Sequence, residues 1–409
     1  MSDIPVRLFC LSINFRNVPL GRREEFACGR DSMLSLLQKL GADRTALEAA
    51  VLSTCHRFEV YGVLGPSASP DAVAAKLAGH VGLAPAGMPA FDCFRDFDAV
   101  GHLFRVAAGL DSLVLGENQI LFQVKDAYRL ACEAETSGFY LNACFHRAFR
   151  VGKAVRGHTS LSAGGSSVGT VAVDMAAREN GGLAGKRVLV VGAGEIGALC
   201  LRAARLRNPR SLTLANRVSR RGPAAELAAK YGARFAPLES LAEEIRSHDL
   251  VFSATASTDA VISLEMLKNV EKVSIYDLAL PRDVEPGAER LAGVTYRTVD
   301  DVRPHADYLA SERAEAVPAA ERIVGEALAD FESWSMELAV VPSIRRILEL
   351  GAALQAGEDA FLQERLSGEC LETARRSVRR LSQNLMRNII GELKRTARNT
   401  SRRSAPGGD

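Results

Sequence analysis

The sequence predicts a multidomain α/β chain, and three observations carry that reading. Between about residues 165 and 305, short apolar runs alternate with helical patterns, which marks βαβ units and a parallel sheet. Residues 1–160 mix separate strand-like runs with amphipathic helices, an α+β pattern. From about Ala306 onward the strands stop. Stretches rich in Ala, Glu, Arg and Leu follow, with apolar residues at helical spacing, and these predict a long helix feeding a helical bundle. The expected domains are therefore 1–160, 161–305 and 306–409, a division that suits a chain of 409 residues.

Taken in order, 7–11 and 58–63 read as strands, and 126–134 and 141–155 as helices. The apolar runs 188–191, 211–215, 250–253 and 273–276 read as parallel strands, with a helical pattern at 224–231 between two of them. Pro318 and Pro342 are expected to start or kink helices. Hydrophobic residues at 47% and charged residues at 24% are ordinary for a soluble globular protein. No apolar run reaches the roughly 18 residues of a membrane span. Met1-Ser2-Asp3-Ile4-Pro5 has no basic stretch followed by an apolar one, so a cytoplasmic location is expected. Eight cysteines without a CxxC pair argue against a zinc ribbon or a thioredoxin motif, and no metal site is expected. The net charge of +2 says nothing about nucleic acid, but residues 371–403 hold ten Lys or Arg against two Glu. Such a face can meet phosphates, or can simply be a solvated helix surface.

The strongest local signal is Gly192-Ala193-Gly194-Glu195-Ile196-Gly197, directly after an apolar strand and at the start of a helical pattern. In that context the first glycine permits a tight turn, the second lets a pyrophosphate approach the backbone, and the third lets helix and strand pack closely. A dinucleotide site of the Rossmann type follows. The next strand ends in Asn216-Arg217, with no carboxylate for the ribose hydroxyls of NAD, and Arg220 and Arg221 come close behind. Arg217 suits a 2′-phosphate, so NADPH is the expected cofactor.

A second signal is Ser53-Thr54-Cys55-His56-Arg57-Phe58-Glu59, a cysteine among polar residues before a strand. A neighbouring Arg57 or His56 would lower the thiol pKa, and the thiolate is the nucleophile. This segment resembles the nucleophile segment of the glutamyl-tRNA reductases. His102 through Glu117, with Gln119-Ile120-Leu121 and Gln123-Val124-Lys125 after it, resembles another family stretch. The glycine loop, Asn216-Arg217, Thr255-Ala256-Ser257, Pro281-Arg282-Asp283, Trp334 and Val341-Pro342-Ser343-Ile344 agree in order.

The resemblance implies NADPH-dependent reduction of glutamyl-tRNA(Glu) to glutamate 1-semialdehyde through a cysteine thioester, the first step of the C5 route to 5-aminolevulinate and tetrapyrroles. It implies Cys55 as nucleophile and His102 as a residue important for activity. Thr54, Cys55, His56, Arg57, Ser112, Glu117, Asn118, Gln119 and Gln123 would surround the glutamyl group. Arg57 would fork the substrate's side-chain carboxylate and Glu117 would pair with its α-ammonium. Gly192, Ala193, Gly194, Glu195, Ile196 and Gly197, with Asn216 and Arg217, would hold NADPH. The family further implies a spine helix, a C-terminal helical dimerisation domain, a homodimer, and room for hand-over of the aldehyde to glutamate-1-semialdehyde aminomutase.

The chain departs from the family pattern at Phe15, Asn17, His56, Asn118 and Phe122, which border the expected glutamyl pocket. Two alternatives remain. A shikimate-dehydrogenase-like oxidoreductase would need neither Cys55 nor tRNA. A catalytically weak paralogue that only binds NADPH or tRNA would not need Cys55, His102 and Glu117 together.

Overall fold

The computed structural model describes residues 7–84, 87–162, 167–306 and 314–404, the last eight of these by backbone alone. Met1–Pro5, read above for targeting, lies outside them. The described residues form two compact units, the larger ending at Val324 and the smaller beginning at Gly325.

The larger unit holds two sheets. The first is antiparallel: β1 (Leu8–Asn14), β2 (Ala46–Ser53), β3 (Arg57–Leu64) and β4 (Asp92–Arg95), in the order β2-β3-β1-β4. All eight residues of β3 are buried, so both faces of the sheet are covered. Phe58, Val60 and Leu64 join Phe9, Leu11, Ile13 and Val51 in one apolar core with Leu36, Leu37 and Leu40 of the helix Arg30–Ala42. Alternation sends Arg57, Glu59 and Tyr61 to the opposite face. There Tyr61 meets Phe145 of the helix Phe139–His158 edge-on at 6.1 Å. A polar triplet at alternate positions of an otherwise apolar strand marks that second face as chemical rather than filler.

The register of β2 on β3 runs to the pair Ser53↔Phe58 and leaves Thr54-Cys55-His56 as the tip of the hairpin. Thr54 closes it. Its N–H donates to the Arg57 carbonyl at 2.9 Å, and its hydroxyl accepts from the N–H groups of His56 and Arg57 at 3.2 Å each.

The second sheet is wholly parallel: β5 (Arg187–Val191), β6 (Ser211–Asn216), β7 (Arg234–Pro237), β8 (Leu250–Ser253), β9 (Val273–Asp277) and β10 (Val294–Thr298), in the order β10-β9-β8-β5-β6-β7. The order reverses direction at β5 and β8, the place where such sheets bind ligands beyond the carboxyl ends of the strands. The four parallel strands read from sequence are present. β2, β4, β7 and β10 were not read. The sequence of β2, Ala-Leu-Glu-Ala-Ala-Val-Leu-Ser, has a helix-like composition. β4 and β7 have four residues each, and β10 is a half-buried edge. The helix expected at 126–134 begins earlier, as Gln119–Glu133.

In the smaller unit the helices Val341–Arg365 and Gly368–Ser404 pair. Buried Gly351 makes room for Met386: a Cβ there would lie 2.2 Å from the Met386 sulfur. Leu381, Leu385 and Ile389 recur every fourth residue as an exposed apolar stripe. Pro342 lies in the first turn of its helix, and Pro318 is the second residue of Val317–Ala339. Both begin helices rather than kink them.

Gly116, beside Glu117, has φ +74°, and a Cβ there would sit 2.1 Å from the Leu161 carbonyl oxygen. Gly116→Ala is expected to lower unfolding stability by more than about 1 kcal/mol, read by urea denaturation. An unchanged midpoint would contradict this packing.

Candidate active site

The two sheets face each other across a cleft of about 770 Å³. From the antiparallel side it is lined by Cys28, Ser53, Thr54, Cys55, Gln119 and Gln123. From the parallel side come Gly192, Ala193, Gly194, Glu195, Ile196, Asn216, Arg217, Arg220 and the segments 254–258 and 278–281.

The glycines behave as their spacing requires. Gly192 has φ +100°, and a Cβ would meet the Ala254 carbonyl oxygen at 2.4 Å. Gly194, the N-cap of the helix Glu195–Arg205, would place a Cβ in open space. That space is a cradle where a diphosphate can touch backbone N–H groups at a helix N-terminus. Gly197 packs so closely that its Cβ would fall 2.0 Å from the Gly192 oxygen. A dinucleotide therefore fits this turn. Arg217 and Arg220 line the cleft at the end of β6, whereas the Arg221 guanidinium lies over the Phe235 ring at 5.9 Å. Asp283 shapes the floor: it accepts from the Ser253 hydroxyl at 2.7 Å, from the Thr255 N–H at 2.8 Å and from the Thr255 hydroxyl.

On the opposite wall, half-buried Cys55 sits at the hairpin tip. Its carbonyl accepts from Arg23 at 2.8 Å, and its sulfur lies 3.3 Å from His56 Nδ1. Burial, with the nearby Glu117 carboxylate, pushes its thiol up to about 12, against the pull of Arg23 and Arg57. Burial, with Arg23 and Arg57, pushes His56 down to about 3, so its imidazole is neutral. This corrects the expectation that Arg57 or His56 activates the resting thiol. The physical reason is burial, which outweighs the pull of Arg23 and Arg57; Arg57 is moreover paired, donating to Glu59 at 2.8 Å and to Asp111 at 3.1 Å.

The same pairing corrects a second expectation. Arg57 is 2% exposed, its Nη2 also binds the Asp111 carbonyl, and it does not line the cleft. As a fork for a substrate carboxylate it is already engaged. His102 is likewise buried behind the hairpin. Its Nε2–H donates to Glu59 at 2.9 Å and its ring stacks on Phe94 at 4.2 Å. Glu59, fully buried, also accepts from Ser12 at 2.9 Å and from Tyr61 at 2.6 Å. Burial opposes its charge, but Arg57, His102 and Tyr61 hold it well below the usual carboxylate range.

Of the other expected residues, Thr54, Gln119 and Gln123 reach the cleft, while His56, Ser112, Glu117, Asn118 and Gly197 stand behind its lining. Burial raises Glu117 to about 7, opposed by Ser112, Arg57 and Arg156 and helped by Glu195 across the cleft. Arg156 pins the segment, donating to the Glu117 carbonyl at 2.9 Å and the Asn118 side chain at 3.2 Å. Sequence reasoning did not single out Arg23, Glu59 or Asp111 as site residues, although Glu59 and Asp111 stand inside the motifs that carried the resemblance.

Residues 11–159 match the family model of the glutamyl-tRNAGlu reductase N-terminal domain, and residues 319–405 that of the glutamyl-tRNAGlu reductase dimerisation domain. Residues 174–304 match the model for shikimate / quinate 5-dehydrogenase. A glutamyl-tRNA reductase of Rubrobacter xylanophilus is 36% identical over 393 residues, covering 94% of this chain and 91% of its own. The chain belongs to the glutamyl-tRNA reductase family. Among solved structures, glutamyl-tRNA reductase from Methanopyrus kandleri is 30% identical, covering 97% of this chain and 98% of that one at a TM-score of 0.48. The nucleotide-binding domain of glutamyl-tRNA reductase from Thermoplasma volcanium is 21% identical, covering 36% of this chain and 97% of that one at a TM-score of 0.30. As a member of this reductase family the chain carries an NADP-type dinucleotide-binding domain and a dimerisation domain. Among the described residues, no helix is long and apolar enough to cross a membrane.

A thiol held protonated by burial has a testable signature. Its pKa is raised, so the thiolate fraction of Cys55 grows with pH past the point where an ordinary thiol, near 8.5, has saturated. Iodoacetamide labelling of the native reductase, read on the Cys55 peptide by mass spectrometry, should rise about tenfold per pH unit from about pH 7 to 10. A slope that bends near about pH 8.5 and is flat by about pH 10 would show an unperturbed thiol.

Proposed function

We propose that this chain reduces glutamyl-tRNA(Glu) to glutamate 1-semialdehyde through a thioester on Cys55, with NADPH as the reductant. The observation that carries the reading is that Cys55, on the hairpin of the antiparallel sheet, and the Gly192–Gly194 turn, after β5 of the parallel sheet, line the same cleft. An enzyme of the shikimate-dehydrogenase kind has no use for a thiol at that position.

The Cys55 sulfur attacks the ester carbonyl, the carbon–oxygen bond breaks, and the tRNA leaves with its terminal hydroxyl restored. The thiol proton leaves the sulfur as the bond forms and ends on the leaving tRNA oxygen, which needs it. His56, 3.3 Å from the sulfur and with its pKa pushed down to about 3, is too weak a base to keep that proton and is assigned to orienting the thiol. Thr54, Gln119 and Gln123 are assigned to the glutamyl group at the cleft wall. Glu117, close to its titration point at neutral pH and just behind the cleft lining with Ser112 and Asn118 beside it, is assigned to attracting the α-ammonium through its charge rather than by direct contact. Arg57 and His102 are assigned to holding the hairpin tip through Glu59. NADPH, when bound, would supply a hydride to the thioester carbonyl, leaving NADP+, the aldehyde and a thiolate that takes up a proton. Gly192 through Gly194 and the start of the helix after them would hold its diphosphate, Gly197 would let that helix pack close, and Asn216 and Arg217 would hold the adenosine ribose with its 2′-phosphate.

The domains are taken as 1–160 for acyl transfer, 161–305 for the cofactor, and 306–409 for the spine helix and dimerisation, giving a homodimer. Because the aldehyde product carries a free α-amino group, direct hand-over to glutamate-1-semialdehyde aminomutase would limit its loss.

The two half-reactions should separate. Cys55→Ser is expected to abolish both the acyl adduct and the aldehyde while keeping the fold. Gly194→Asp puts a carboxylate against the diphosphate and should stop aldehyde formation, yet still attack glutamyl-tRNA and either accumulate the Cys55 adduct or release glutamate. Mass spectrometry after mixing with glutamyl-tRNA decides; intact glutamyl-tRNA in both wild type without NADPH and Gly194→Asp sinks the two-step scheme.

Cofactor choice gives another check. Wild type should prefer NADPH, and Arg217→Ala should erase roughly 1–3 kcal/mol of that preference in kcat/KM, the worth of one charge-assisted contact. Equal use of NADH and NADPH by wild type contradicts the assignment.

A further inference from the structure

Two consecutive residues, Arg23 and Glu24, reach from the antiparallel side of the cleft to the parallel side. Arg23 is 2% exposed. Its Nε donates to the Val18 carbonyl at 3.1 Å, one terminal nitrogen donates to the Cys55 carbonyl at 2.8 Å, and the other binds the Asp300 carboxylate just past β10. Glu24 takes three hydrogen bonds from Arg282, from its backbone N–H, Nε and Nη2, each 2.8 Å long. Arg282 directly follows the segment 278–281 that lines the cleft opposite Cys55. The two pairs have reversed polarity, Arg to Asp and Glu to Arg, so neither partner can exchange for the other. A two-pronged guanidinium–carboxylate pair with an added backbone N–H fixes orientation as well as distance.

We infer that Arg23 and Glu24 form a clasp that positions the nucleophile loop against segment 278–281, and so governs whether the acyl group on Cys55 is reduced or hydrolysed. The inference rests on the thioester reading above. Acyl transfer to Cys55 draws only on groups of the antiparallel side. Hydride delivery spans the cleft, and misplacement by about 1 Å can cost on the order of a hundredfold in rate. Water needs no such alignment. It adds to the thioester carbonyl, the carbon–sulfur bond breaks, the sulfur regains its proton, and glutamate leaves.

The test uses the full chain, glutamyl-tRNA and saturating NADPH, with Arg282→Gln, Glu24→Gln and the charge swap Glu24→Arg/Arg282→Glu. Three quantities are read: the Cys55 adduct formed without NADPH, the aldehyde, and the free glutamate. The single variants should acylate at close to the wild-type rate, while the ratio of aldehyde to glutamate falls by about tenfold or more. The swap should recover part of that ratio, which a general loss of stability would not do. A wild-type ratio in both single variants overturns the clasp. Parallel loss of acylation and reduction in both overturns it too, because the pair would then hold the fold rather than the transfer step. Absence of any adduct on wild-type Cys55 is a different failure, of the thioester reading itself, and takes the clasp with it.

Discussion

The site depends on one carboxylate that sees no solvent. Glu59 is surrounded by donors from Ser12 on β1, Arg57 and Tyr61 on β3, and His102 on the helix Asp96–Ala108. A buried carboxylate lacking such partners would cost several kcal/mol, so each donor is held where it is by the need to satisfy the charge. The sheet and the helix packed on it are thereby fixed together. Alternation along β3 makes this possible. Phe58 and Val60 fill the apolar core on one face while Arg57, Glu59 and Tyr61 build the polar face on the other. Cys55 lies only two residues beyond the first member of that polar row.

This arrangement explains why the resting thiol is quiet. Burial disfavours the thiolate first, Glu117 adds a negative field, and the opposing pull of Arg57 is too small to reverse them, its charge being paired with Glu59 and Asp111. A protonated thiol resists oxidation and stray alkylation, because the thiolate is the reactive form. His102, singled out in the sequence, meets Glu59 behind the hairpin rather than lining the cleft.

How much could be read in advance followed from how local the physics is. The glycine turn was legible because its three positions answer to backbone geometry within six residues. The four strands at the centre of the parallel sheet were legible as short apolar runs, since both of their faces are buried. β2 was hidden because Ala, Leu and Glu favour helix, and only pairing with β3 overrides that preference. Arg57 was misjudged for a related reason. A guanidinium near a cysteine looks like an activator until Asp111, 54 residues away in sequence, is brought against it. Arg23, paired with Asp300 across 277 residues, left no local trace.

The cleft also has divided ownership. One part of its lining comes from residues 27–123, the other from residues 192–281, and the two match different family models. Selection can therefore act on each wall with little interference from the other. On the function proposed above, changes after β6 would bear on the dinucleotide and changes around the hairpin tip on the acyl group. Only the few residues that touch both walls constrain them jointly, so that is where covariation among relatives should concentrate.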